Sequence, residues 1–174
     1  MRLQGLAPLV SPGTRVLVLG SFPGVRSLQR QQYYAHPQNQ FWRILQGLWP
    51  QAPWPEDGDY AERCRCALAQ GLGIWDVYAS CEREGSLDSA IREAQLNDFP
   101  ALLRQCPQLQ GIAHNGGASH RHARTVEHSL VHAGLAGRVQ MHKLPSTSPA
   151  HASWTFERKL SAWRAVMQEH GLLA

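Results

Sequence analysis

Arg15–Gly20 (RVLVLG) sets the terms for the rest of the chain. Val16, Leu17, Val18 and Leu19 are all apolar, with no polar residue between them, so a strand here must be covered on both faces. Such strands belong to parallel sheets with helices on either side. Three further runs suit the same sheet: Leu72–Tyr78 (LGIWDVY), Gln110–Asn115 (QGIAHN) and Arg138–Leu144 (RVQMHKL). Helical patterns lie between and after them, over Gln38–Trp49, Tyr60–Gln70, Asp98–Cys106, Ala118–Ala133 and Trp154–His170. Ser153 would cap the last helix and Gly171 would stop it. The alternation predicts an α/β fold, a three-layer α/β/α sandwich with a central, mainly parallel four-stranded sheet. No linker, repeat or low-complexity tract interrupts the 174 residues, which read as one domain, 1–174.

In a sheet of this kind, functional loops follow the carboxyl ends of the strands. The loop after the first strand is Gly20-Ser21-Phe22-Pro23-Gly24. Its glycines let a ligand approach the backbone, so it reads as a pocket floor of backbone N–H groups or as a plain tight turn. The chain then runs Tyr33-Tyr34-Ala35-His36-Pro37-Gln38-Asn39-Gln40-Phe41-Trp42. Pro37 suits the first turn of a helix, which would put Asn39 near the positive end of the helix dipole. Tyr33 and Tyr34 are then base-stacking faces or core aromatics, and Asn39 a water-orienting amide or a helix cap. The fourth strand ends in Leu144-Pro145-Ser146-Thr147-Ser148-Pro149-Ala150. Hydroxyls held between prolines suit a grip on phosphate oxygens or a structural turn. Asp76, at the end of the second strand, is expensive to bury without partners. It either reads a ligand edge or pairs locally.

The Tyr33–Trp42 run and its distance from GSFPG resemble the first motif of the uracil-DNA glycosylase superfamily, most closely its hypoxanthine-DNA glycosylase (DNA-deoxyinosine glycosylase) branch. Mismatch-specific uracil glycosylases are similar here too. Leu144–Ala150 resembles the second motif of the superfamily. Trp75–Cys81 with Glu84-Gly85-Ser86-Leu87-Asp88 again resembles the hypoxanthine branch. The uracil enzymes place a catalytic Asn where this chain has Phe22, whereas in the hypoxanthine branch the Asn of the His-Pro-Gln-Asn run carries catalysis, which matches Asn39. The second motif also departs: Leu144 stands where many relatives have a His, and Ser148 or Pro149 where they have a wedge Leu.

The resemblance implies a monofunctional DNA N-glycosylase that flips out a deaminated base, hypoxanthine by preference, and hydrolyses its glycosidic bond. Asn39 would be catalytic. Ser21, Phe22, Tyr34, His36 and Asp76 would bind the base, the first two through backbone donors. Ser146, Thr147 and Ser148 would hold the DNA backbone. The partner is damaged DNA, no cofactor or metal is called for, and one copy of the chain suffices. Three rivals stay open: a mismatch uracil glycosylase, a non-catalytic nucleic-acid-binding module, and a metallohydrolase.

Composition sets wider bounds. A formal net charge of +4 permits phosphate contact without demanding it. The four Cys (Cys64, Cys66, Cys81, Cys106) read as reduced thiols. MRLQGLAPLV reads as too short and interrupted for a secretion signal, and no apolar run approaches the ~18 residues of a membrane span. The expected location is the cytoplasm, associated with the nucleoid through DNA. His120, His122, His128 and His132 read as a solvated helix face, since no His-Glu-x-x-His pattern occurs. His151 has no assigned role.

Overall fold

The computed structural model describes Met1–Ala174. Val16–Leu19 are fully buried, as the unbroken apolar run requires. They form most of β2 (Val16–Gly20), which lies inside a four-stranded sheet with β3 (Leu72–Asp76), β6 (Gly111–Asn115) and β7 (Gln140–Leu144). The strand order is β3-β2-β6-β7 and every pair is parallel. Right-handed crossovers then put the helices between β2 and β3 on one face and those between β3 and β7 on the other. On the first face are α1 (Val25–Arg30), α2 (Phe41–Leu48) and α3 (Tyr60–Ala69), joined by α7 (Phe156–Glu169), which packs on α2. On the second are α4 (Phe99–Gln105), α5 (Gly117–His120) and α6 (Ala123–His132). The expected three-layer α/β architecture is observed.

Four local expectations need correction. The second strand does not run to Tyr78: it ends at Asp76, and a separate strand, β4 (Tyr78–Glu82), follows. β4 is the centre of a second, antiparallel sheet between β1 (Arg2–Gln4) and β5 (Arg92–Leu96), which the sequence did not announce. The helix expected over Ala118–Ala133 is two helices, because the chain turns at Arg121-His122. The turn lets Ser119 donate to the Leu19 carbonyl at 2.7 Å and brings His122 Nδ1 to within 2.9 Å of the Tyr78 hydroxyl. The last helix is capped by Thr155, whose side chain accepts from Arg158 N–H, rather than by Ser153. Finally, α2 begins at Phe41 with Gln40 as its cap, so Pro37 and Asn39 precede the helix. The backbone before it is engaged elsewhere: Asn39 N–H donates to His36 O at 3.0 Å and Gln40 N–H to Thr147 O at 2.9 Å.

The connection after β2 leaves toward one face and that after β6 toward the other. A crevice therefore opens beyond the carboxyl ends of these neighbours, where open α/β sheets bind ligands. Trp163 of α7 closes the core beneath it. The indole is fully buried, meets Phe41 edge-on at 5.9 Å between centroids, and donates its N–H to Pro145 O at 3.2 Å. Trp163→Ala should lower unfolding free energy by about 3–5 kcal/mol in urea titration. A loss under about 1 kcal/mol would contradict this packing.

Candidate active site

The β2–β3 register places Gly20 beside Asp76, and the side chain of Asp76 leans across it. A Cβ on Gly20 would lie 2.5 Å from Asp76 Oδ1 and 3.5 Å from Tyr34 Oη, so glycine is the residue that leaves room for both. This corner is the floor of a cavity of about 350 Å³ at the crevice. All nine residues singled out in the sequence line it: Ser21, Phe22, Tyr34, His36, Asn39, Asp76, Ser146, Thr147 and Ser148.

Asn39 owes its orientation to the start of α2. Its Oδ1 accepts from Phe41 N–H at 2.9 Å. A backbone donor identifies the oxygen end of the amide and leaves the NH₂ group and a second Oδ1 lone pair free. Gln40, not Asn39, is the cap of α2; the Asn39 amide instead closes a turn onto Phe41 N–H just before the helix, and this bond fixes it beside the cavity.

Tyr34 stacks on Phe41 with centroids 4.1 Å apart and planes inclined by 26°. Its backbone is left-handed, with φ of 53°, an uncommon conformation that functional sites tolerate. Burial first, and then the charge of Asp76, raise its phenol pKa, so the hydroxyl stays protonated. Tyr33 has a different position. Its ring is buried and its hydroxyl donates to Ala7 O at 2.6 Å, which makes it a core anchor.

Asp76 is 6% exposed, and its Oδ2 has no hydrogen-bond partner. Burial, reinforced by the negative charge of Asp88 and opposed by Arg83, pushes its pKa up to about 7. Ser21 Oγ and Tyr34 Oη are likewise buried without partners. Three unsatisfied polar atoms at one cavity are a costly arrangement that a bound polar ligand would relieve.

Phe22 lines the cavity, and the Arg83 guanidinium lies over its ring, 5.2 Å from the centroid. His36 is exposed at the rim and accepts from Gln38 N–H through Nδ1 at 3.1 Å. Thr147 differs from the expectation of a DNA-facing hydroxyl. It is fully buried, its Oγ1 accepts from Asn115 Nδ2 at 2.9 Å, and its N–H donates to Asn115 Oδ1 at 3.0 Å. It therefore locks the loop, and Ser146 and Ser148 are the partly exposed hydroxyls.

Sequence reasoning missed several contributors. Asn115 ends β6 as Asp76 ends β3, so the rule that pointed to Asp76 could have found it. Arg83 donates to Pro23 O at 2.6 Å and so braces the GSFPG loop from below. Lys159 is buried and bridges Gln40 Oε1 (3.1 Å) and His151 O (2.7 Å), joining the two motif loops through α7. No local signal marks either cation. The donor cluster best suited to a metal, His142, Glu169 and His170, lies beside Gly111 at the amino end of β6, away from the cavity.

The uracil DNA glycosylase superfamily model matches residues 7–168. This chain belongs to that superfamily. It is 33% identical over 165 residues to a hypoxanthine DNA glycosylase of Methanosarcina acetivorans, covering 95% of this chain and 98% of the relative. A hypoxanthine DNA glycosylase of Methanosarcina barkeri is 34% identical over 119 residues, covering 68% of this chain and 74% of that one. The solution NMR structure of a candidate uracil DNA glycosylase from Methanosarcina acetivorans superposes with a TM-score of 0.77. That protein is 30% identical, and the match covers 97% of this chain and 98% of that one.

The raised pKa of Asp76 has a consequence for stability. The unfolded carboxyl loses its proton above about 3.8, the folded one only above about 7, so between these values folding takes up a proton. Stability from this group therefore falls as pH rises through that window and is constant above it. Asp76→Asn should melt at a higher temperature than the unsubstituted protein at pH ~8, with the gap closing as pH falls toward 4. A pH-independent gap in calorimetry, or a less stable variant at pH ~8, would contradict it.

Proposed function

We propose that this chain is a monofunctional DNA glycosylase that excises hypoxanthine from DNA, leaving an abasic site. The observation that carries the reading is the anchored amide of Asn39 on the wall of a cavity whose floor holds an unpartnered, buried carboxylate. The family membership and the names of its relatives support the same activity. The cavity volume falls within the range of about 300–1,000 Å³ usual for small-ligand sites.

Hypoxanthine presents an N1–H donor next to an O6 acceptor. In its ionised form, which prevails above about pH 7, Asp76 accepts from N1–H through Oδ2, and Ser21 Oγ donates toward O6. Adenine presents the reverse pattern at these positions, so an ionised Asp76 faces a lone pair and repels it. Guanine shares the N1–H and O6 edge. Discrimination against it rests on its C2 amine and on the greater cost of flipping a well-paired base. Tyr34, backed by Phe41, stacks on the flipped base, a contact worth on the order of 1–3 kcal/mol.

Cleavage of the C1′–N bond builds positive charge on the sugar and negative charge on the departing purine. Backbone donors of Ser21 and Phe22 stabilise the latter. Asn39 orients the attacking water through the free lone pair of Oδ1, its position fixed by Phe41 N–H. Ser146 and Ser148 hold flanking phosphates, and Thr147 keeps their loop in place through Asn115. Neither motif contains a lysine for Schiff-base chemistry. A monomer suits this activity. No helix is long and apolar enough to cross a membrane, and a cytoplasmic, nucleoid-associated location suits the activity.

A panel of duplexes bearing inosine, uracil, xanthine or normal purines tests the substrate. Hypoxanthine release should be fastest, with rates unchanged by excess chelator. Uracil shares the donor–acceptor order through N3–H and O4, so faster uracil release would overturn the substrate assignment. Release of no base from any duplex would overturn the enzyme.

A further inference from the structure

Removing a base from a duplex leaves a gap in the stack, and proteins that distort DNA often fill such gaps with an apolar side chain. The loop after β7 brings only Ser146, Thr147, Ser148 and Pro149 to the cavity, none with a long apolar side chain. Leu87 lies in the β4–β5 loop. It lines the cavity yet is 70% exposed, against 40% for Val25, the other large exposed apolar side chain there. A lone exposed leucine is ordinary on a protein surface. What sets Leu87 apart is its place at the rim of the site and the rigidity of its support.

That support is specific. Ser86 Oγ accepts from Val25 N–H at 2.9 Å, pinning the residue before Leu87 to the end of the GSFPG loop. Leu87 O accepts from Ala90 N–H at 3.0 Å, and Asp88–Ala90 form a single 3₁₀ turn. Arg92 closes this turn by donating to Ser89 O and Ile91 O, both at 2.8 Å. On the near side, Arg83 ties the base of the loop to Pro23 O. An exposed leucine would be mobile on a slack loop, whereas here it is held out from a braced one.

We infer that Leu87 is the wedge that enters the base stack as the target nucleotide leaves it, so that the wedge comes from the β4–β5 loop rather than from the second motif. The inference rests on the glycosylase reading. Leu87 fills the vacated space while Tyr34 receives the base.

Single-turnover excision of hypoxanthine is compared on one oligonucleotide, as a duplex with inosine opposite thymine and as the single strand. A wedge matters where there is a stack to hold open. Leu87→Ala should therefore lower the duplex-to-single-strand rate ratio about tenfold or more. Leu87→Met, which restores a long apolar side chain, should recover most of the ratio. Val131→Ala, at an exposed apolar position on α6 outside the cavity, serves as control and should match the unsubstituted protein. An unchanged ratio for Leu87→Ala, or an equal fall for Val131→Ala, overturns the wedge while leaving the glycosylase intact. An unsubstituted protein inactive on both forms overturns the glycosylase reading, and the wedge with it.

Discussion

The pairing of Gly20 with Asp76 across β2 and β3 is the constraint on which the rest of the site depends. A carboxylate at the end of a buried strand needs space, and it takes that space above a glycine that has no Cβ to contest it. Burial then raises its pKa to about 7 and leaves one oxygen without a partner. The arrangement costs folding stability above the ordinary carboxylate range. It is the kind of local conflict that persists at functional sites, where the group is held ready for a ligand rather than for the fold.

Around this corner the two motif loops are held by bonds between elements distant in sequence. Asn115 grips Thr147 through both its amide atoms, Thr147 O accepts from Gln40 N–H, and Lys159 ties Gln40 to His151. Asn39 stands one residue before Gln40, so its position follows from these ties as much as from its own bond to Phe41 N–H. Removing a partner from such a network leaves buried polar atoms unsatisfied, at about 1–3 kcal/mol each. The network positions Asn39 and the Ser146–Ser148 loop together, so disturbing one disturbs the other.

Much of this was legible in the sequence, for identifiable reasons. β2 and β3 carry nearly continuous apolar runs because both of their faces are covered, whereas the edge strand β7 is half polar and only Leu144 in it is buried. The small antiparallel sheet carried no such mark: Arg92–Glu93–Ala94–Gln95 are all exposed, and without a buried face there is no periodicity to read. The site residues were legible because they follow strand ends and because the motif runs resemble a known family. Arg83, Lys159 and Asn115 escaped because their roles depend on partners far along the chain. Arg83 is tied to Pro23, Lys159 to Gln40, and Asn115 to Thr147. A hydroxyl between prolines suits phosphate and so reads as outward-facing, and only the fold shows that Thr147 faces inward. Asn39 was placed in the first turn of a helix by the preference of Pro37. The helix starts later because the preceding backbone pairs with the second loop.

The central claim is that catalysis resides in an amide anchored just before α2. The most direct test is single-turnover hypoxanthine excision by Asn39→Ala, with duplex affinity measured on the same folded preparation. Loss of the hydrogen bond from Phe41 N–H to Asn39 Oδ1 should cost about 1 kcal/mol of stability, which the variant can bear. The rate should fall by about 100-fold or more with duplex affinity retained. A variant that cleaves within a few-fold of the unsubstituted rate would contradict it.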